Sequence, residues 1–107
     1  MRLSPKVGRS VKRLDIKATA RAELAQIYNY SVAEFGPTVA ETYLTGLRNA
    51  VERLLEFPFM GTIYPDVIPE IRVILYRSHR VFYRIEGDKV LIVRILHKMR
   101  DARAVFE

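Results

Sequence analysis

His79-Arg80-Val81-Phe82-Tyr83-Arg84-Ile85-Glu86, then Gly87-Asp88, then Lys89-Val90-Leu91-Ile92-Val93-Arg94-Ile95-Leu96-His97, is the stretch whose reading decides the fold. Two runs rich in β-branched and aromatic residues flank a glycine–aspartate pair, the pattern of an antiparallel hairpin closed by a tight turn. A two-residue loop sets Ile85 opposite Val90, Tyr83 opposite Ile92 and Val81 opposite Arg94. The other face then carries Arg80, Phe82, Arg84, Leu91, Val93, Ile95 and His97. Both faces mix apolar and basic side chains, so alternation alone does not say which one is covered. Such a sheet is either a phosphate-handling surface or a basic platform for a partner protein.

Upstream, Ile71 to Tyr76 reads as a third antiparallel strand. Phe57 to Glu70 holds Pro58, Pro65, Pro69 and Gly61 with Phe57, Phe59, Met60, Ile63 and Tyr64 between them, a loop too apolar to stand free of the core. Before it, Ala40, Tyr43, Leu44, Leu47, Val51, Leu54 and Leu55 recur at helical spacing, predicting a helix from Pro37 to about Glu56. Gly46 lies inside it, where glycine costs about 1 kcal/mol against alanine, so close approach of a preceding helix is expected there. That preceding helix carries Leu24, Ile27, Tyr28, Ser31 and Phe35 on one stripe. Arg21, Glu23, Gln26 and Glu34 take the other face, and Thr19 is placed to cap. Gly36 ends this helix in a left-handed conformation and Pro37 begins the next, so the two fold back as a hairpin.

Lys12 to Lys17 reads as a short first strand with Leu14 and Ile16 inward. Residues 1–11 contain Pro5, Gly8 and two serines among basic residues and are expected to be a flexible basic leader, with residues 12–107 forming one domain. A short helical turn is expected after Met99. The order β-α-α-β-β-β predicts an α+β domain, a helical hairpin packed on a small antiparallel sheet.

The formal net charge of +6 is unevenly distributed. Residues 1–17 carry six Lys/Arg and one acid, residues 18–70 three arginines and seven acids, and residues 71–107 nine Lys/Arg and four acids. A basic leader, an acidic middle and a basic final third imply a molecule with one positive face. The chain has no cysteine, which excludes disulfides and thiolate metal sites and fits a reducing compartment. No apolar run approaches a membrane span, and Met1 to Lys6 lacks a secretory signal, so a soluble cytoplasmic protein is expected. Two histidines without clustered acids make no metal site, and no glycine-rich phosphate loop or serine-nucleophile motif occurs, so no cofactor is expected.

Residues 13 to about 103 resemble the ParE/RelE toxin superfamily of type II toxin–antitoxin modules, specifically its ParE-like branch. The resemblance rests on Tyr30…Glu34-Phe35-Gly36, Ala40…Tyr43…Leu47, Pro58…Gly61, Arg72, His79-Arg80-Val81-Phe82-Tyr83-Arg84-Ile85 and Arg94-Ile95-Leu96-His97, in that order. It implies a RelE/ParE-like fold and a toxin neutralised by a ParD-like antitoxin whose C-terminal segment wraps the hairpin and sheet. ParE-like members inhibit DNA gyrase, whereas RelE-like members are ribosome-dependent mRNA interferases; a degenerate non-toxic copy is a third possibility.

Cutting RNA needs a base for the 2′-hydroxyl, cations for the phosphorane and an acid for the leaving oxygen. Arg72, Arg80 and His97 are the candidates for that chemistry, with Tyr83 as a second proton carrier. Against it, no His-Tyr pair ends the chain, Lys98 to Arg103 continues past His97, and no lysine occurs between residues 18 and 88. The favoured expectation is therefore a non-enzymatic inhibitor without catalytic residues. Its partner- or target-binding surface is Arg72, Arg77, Arg80, Tyr83, Arg94, His97, Lys98 and Arg100, with no sequence-specific nucleic-acid binding of its own.

Each of these residues also has a plainer role. A strand-end histidine such as His97 is commonly a hydrogen-bonded structural group, and His79 suits the cap of the turn after Tyr76-Arg77-Ser78. Arg94, in an apolar strand, calls for an acid or a partner. Tyr28, Tyr30 and Tyr43 suit core or hairpin packing better than base stacking, for which Phe82 and Tyr83 are the sheet candidates.

Overall fold

The computed structural model describes residues 13–106; the expected leader lies outside the described residues. Strand β1 (Arg13–Ile16) leads into helix α1 (Ala18–Phe35), helix α2 (Pro37–Glu52) and a 3-10 turn (Arg53–Leu55). Strands β2 (Thr62–Tyr64), β3 (Ile71–Tyr76), β4 (His79–Glu86) and β5 (Lys89–His97) follow, and a short helix α3 (Arg103–Phe106) closes the described chain. The sheet runs β1-β5-β4-β3-β2. The α+β expectation holds, with one addition, β2, hidden among prolines; α3 is the short helical turn expected after Met99. The last four strands are antiparallel, but β1 joins β5 in parallel, so the sheet is mixed. The connection from β1 to β5 runs through both helices and strands β2 to β4, long enough to permit that direction.

Gly36 joins the helices. Its N–H bonds Val32 O at 2.9 Å, closing α1, and its carbonyl accepts the Ala40 N–H at 3.1 Å, opening α2. Its φ of +89° and ψ of 164° place it outside the left-handed helical region, in a basin that glycine alone enters cheaply. Pro37 takes the first position of α2, where no N–H is needed. Thr19 does not cap α1: it lies inside the helix, and Lys17 stands at the cap without a side-chain bond.

One face of the sheet packs on the helices. Val81, Tyr83, Val90, Ile92 and Ile95 meet Ala20, Leu47, Val51 and Leu54, with Ile74 and Ile85 at the margin. The opposite face carries a second cluster, Ile71, Phe82 and Leu96, covered by Ala102, Val105 and Phe106 of the tail and by Tyr64. Gly46 is explained differently from the expectation. A Cβ there would lie 1.9 Å from Tyr76 Oη, so the close approach comes from β3 and not from α1.

The hairpin register matches the expectation only to its middle. Ile85 pairs with Val90 and Tyr83 with Ile92, but Phe82 pairs with Arg94 and Val81 with Ile95. Val93 is the extra residue of a β-bulge, and the bulge reverses the facing of everything after it. Ile95 and His97 consequently share the helix-facing side with Val81 and His79.

Candidate functional site

The eight surface candidates separate into three groups. Arg94 serves the fold. Its Nε and Nη2 donate to Glu23 Oε2 at 2.8 and 2.6 Å, and Glu23 Oε1 accepts the Ile95 N–H at 2.7 Å. Glu23, expected on the solvent face of α1, is buried because β1 ends opposite Ile92 and leaves the outer edge of the rest of β5 without a neighbouring strand. A carboxylate from the helix supplies the acceptor that the missing strand would have offered.

Arg72 and Tyr83 brace the apolar loop before β3. Arg72 Nη1 donates to Gly61 O at 2.8 Å and Phe59 O at 3.2 Å, and its guanidinium lies 5.1 Å from the Phe59 ring centroid. Tyr83 Oη donates to Pro58 O at 2.7 Å and accepts the Gly61 N–H at 2.9 Å. Tyr83 is 0% exposed, and burial pushes its hydroxyl above the ordinary tyrosine range. It belongs to no surface and carries no proton to an outside substrate. Gly61 is a glycine because a Cβ would meet Tyr83 Oη at 2.6 Å.

The remaining candidates converge at one end of the sheet. The β3–β4 turn exposes Arg77, whose guanidinium lies 5.7 Å from the Tyr76 ring centroid. Lys98 N–H donates to Ser78 O at 2.8 Å, which holds the strand end against that turn. Arg80, on the outer face, stacks on Phe82 and donates to the Arg100 carbonyl. Arg77, Arg80, Lys98 and Arg100 thus form a basic end.

Beside this end opens a groove of about 600 Å³ between the helical hairpin and the last residues of β5. Its walls include Ile27, Tyr30, Phe35, Val39, Ile95 and Leu96, and His79 and His97 stand at its end. Phe35, placed on the apolar stripe by periodicity, and Tyr30, expected in core or hairpin packing, are 62% and 64% exposed. Tyr43 does pack, edge-on to Tyr76 and His79. His79 Nδ1 and Tyr43 Oη share a hydrogen bond of 2.7 Å. Burial, then the neighbouring His97, lowers the His79 pKa below its ordinary 6.5.

Arg72, Arg80 and His97 do not assemble into a reactive centre. Arg72 lies on the helix-facing side against loop carbonyls, and Arg80 lies on the opposite face. Among the described residues no group of three or more His, Cys, Asp or Glu is placed to hold a metal ion, and no helix is long and apolar enough to cross a membrane.

Residues missed by sequence reasoning are Glu23 and the groove wall. A signal for Glu23 was present: Ala20, Glu23, Ile27 and Ser31 follow a 3-4-4 spacing, and Arg94 needed an acid.

A helical hairpin packed on a five-stranded sheet is the architecture expected of the ParE/RelE-like toxins. Residues 14–102 match the sequence model of the ParE toxin of the type II toxin–antitoxin system parDE, and the chain belongs to that family. It is 34% identical over 94 residues to Toxin ParE1 of Caulobacter vibrioides, covering 88% of this chain and 97% of the relative. It is 31% identical over 87 residues to Toxin ParE1 of Mycobacterium tuberculosis, covering 80% and 89%. Its fold matches a chain of the chromosomal ParDE TA system from P. aeruginosa with a TM-score of 0.71 at 26% identity, covering 81% of this chain and 96% of that one.

Proposed function

We propose that this ParE-family toxin inhibits DNA gyrase in the cytoplasm by docking rather than by catalysis, and that a ParD-like antitoxin neutralises it. The observation that carries this reading is the convergence of Arg77, Arg80, Lys98 and Arg100 at one end of the sheet, next to an open apolar groove. A fixed cluster of cations suits an acidic protein or protein–DNA surface, and it raises the rate of encounter as well as the affinity. The ribonuclease alternative needs cations, a base and an acid around one phosphate, whereas Arg80 lies on the face opposite to Arg72 and His97, and Arg72 is engaged with loop carbonyls.

Gyrase supercoiling in vitro, with and without the purified protein, tests the proposal. Blocked supercoiling, with filamentation and an SOS response on expression, supports it. Ribosome-dependent cuts in messages would replace it with an mRNA interferase, and normal growth with intact supercoiling would mark a non-toxic family member.

A further inference from the structure

The end of the groove holds a histidine pair with a charge imbalance around it. His79 and His97 stand directly opposite each other on β4 and β5, ring centroids 5.4 Å apart and planes at 82°. His79 is half-buried and shares its Nδ1 with Tyr43 Oη, which also accepts the Ser78 N–H at 3.2 Å. His97 is exposed, and its Nδ1 accepts the Met99 N–H at 3.1 Å. Each ring spends Nδ1 inside the fold, and each Nε2 is without a hydrogen-bond partner among the described residues. Arg100 lines the same end of the groove; its carbonyl is engaged by Arg80, and its side chain makes no ion pair among the described residues.

The groups packed around the pair offer no counter-charge. Helix α1 brings Glu23, whose two oxygens are taken by Arg94 and the Ile95 N–H. Helix α2 brings Tyr43, β3 brings Tyr76 with Arg77 stacked on it, and the chain after β5 brings Arg100. The groove is thus apolar along its walls and short of negative charge at its end. It fits a segment whose apolar side chains are followed by a carboxylate.

We propose that His79, His97 and Arg100 form a carboxylate-receiving subsite, that its occupant is an acidic, apolar-anchored segment of the antitoxin, and that docking takes up a proton from solvent onto one imidazole. The inference rests on the antitoxin reading above. In the free protein His79 is held towards its neutral form, so an arriving carboxylate restores the charged form and raises the pKa. A group that binds protons more tightly in the complex makes the complex stronger at lower pH. One ring takes the proton, because two adjacent imidazoliums repel.

The test uses the full chain and two synthetic helical peptides of roughly 16 residues. They share the same leucines and alanines and carry either Glu or Gln at the remaining positions. Calorimetric titrations run at about pH 6 and about pH 8, in buffers of different ionisation enthalpy. The Glu peptide is expected to bind about fivefold or more tightly at the lower pH with net proton uptake, and the Gln peptide to bind weakly without pH dependence. His79→Gln with His97→Gln should remove the pH dependence while residual binding through the apolar walls survives. Equal affinity for both peptides, pH dependence that persists in the double variant, no binding by either peptide, or preference for a short RNA over the Glu peptide each overturns the proposal. Gyrase supercoiling does not enter this measurement, so the subsite and the gyrase reading fail separately.

Discussion

Glu23 closes the edge of β5 that the short first strand leaves open. Replacing it with alanine strips Arg94 of its partner and leaves the Ile95 N–H unmatched in the interior. Breaking a buried pair from one side is costly, so Glu23→Ala should lose about 3 kcal/mol in chemical denaturation. Glu23→Gln keeps an acceptor for Ile95 and should lose clearly less; equal losses would show that the backbone bond contributes nothing. Tyr83→Phe removes the bonds to Pro58 O and Gly61 N–H, with an expected cost of about 1–2 kcal/mol. Faster exchange of the Gly61 amide is the local readout. His79 adds a pH dependence with a definite sign. Its folded pKa lies below 6.5, so the unfolded chain binds the proton more readily. That contribution to stability is complete above about pH 6.5 and is lost as the pH falls through the lowered folded value. A melting-temperature series should therefore decline in mild acid, and His79→Gln should flatten it.

At the level of elements, the bulge decides what the site contains. Were Val93 paired in regular register with Phe82, Arg94 would face Val81, Ile95 would leave the helical interface and His97 would face away from His79. Deleting Val93 removes the extra residue and leaves Ile92 and Arg94 in consecutive regular pairs with Tyr83 and Phe82, so the His79–His97 contact should persist in nuclear Overhauser spectra; its loss would show that Val93 is not the extra residue. Nothing in Ile92-Val93-Arg94 announces a bulge, since Val90-Leu91-Ile92-Val93 is a continuous apolar run with no alternation to interrupt. This is why the sequence placed Ile95 and His97 on the wrong face. By contrast, the helices and the hairpin turn were legible, because periodicity, Gly36-Pro37 and Gly87-Asp88 are local signals. Thr62-Ile63-Tyr64 was not, because three residues between prolines carry no period of their own. Among the candidate arginines only the chemical type was legible locally, while their sorting into braces and free cations depends on pairing between distant strands. Gly46 follows the same logic. Alanine there gains helix propensity but drives a methyl into Tyr76, a ring held against Tyr43 at 5.3 Å. Gly46→Ala should destabilise by about 1–2 kcal/mol, the cost of overpacking exceeding the gain in propensity.

Across the whole molecule, the tail after β5 has two tasks that truncation would confuse. Lys98 and Arg100 belong to the basic end, whereas Ala102, Val105 and Phe106 cover Phe82, whose ring lies 5.0 Å from that of Phe106. Removing everything from Lys98 onward would uncover Phe82, Ile71 and Leu96, each of which contributes about 1.5–3 kcal/mol when fully buried. Loss of toxicity in such a chain would report unfolding as readily as lost contact with a target. Charge reversal separates the two. Arg77 and Lys98 are exposed, and Arg77→Glu with Lys98→Glu cancels the net charge of the basic end while leaving the Phe82 cover intact. Stability should stay within about 0.5–1 kcal/mol of the parent, as surface substitutions do. If the basic end contacts gyrase, inhibition of supercoiling should fall by about tenfold or more. The difference between parent and variant should shrink as salt is raised, because screened charges contribute less to encounter. Binding of the Glu peptide in the groove should persist, since Arg100, His79 and His97 are retained. A stable variant that inhibits as well as its parent at low salt would move the target contact away from this end of the sheet.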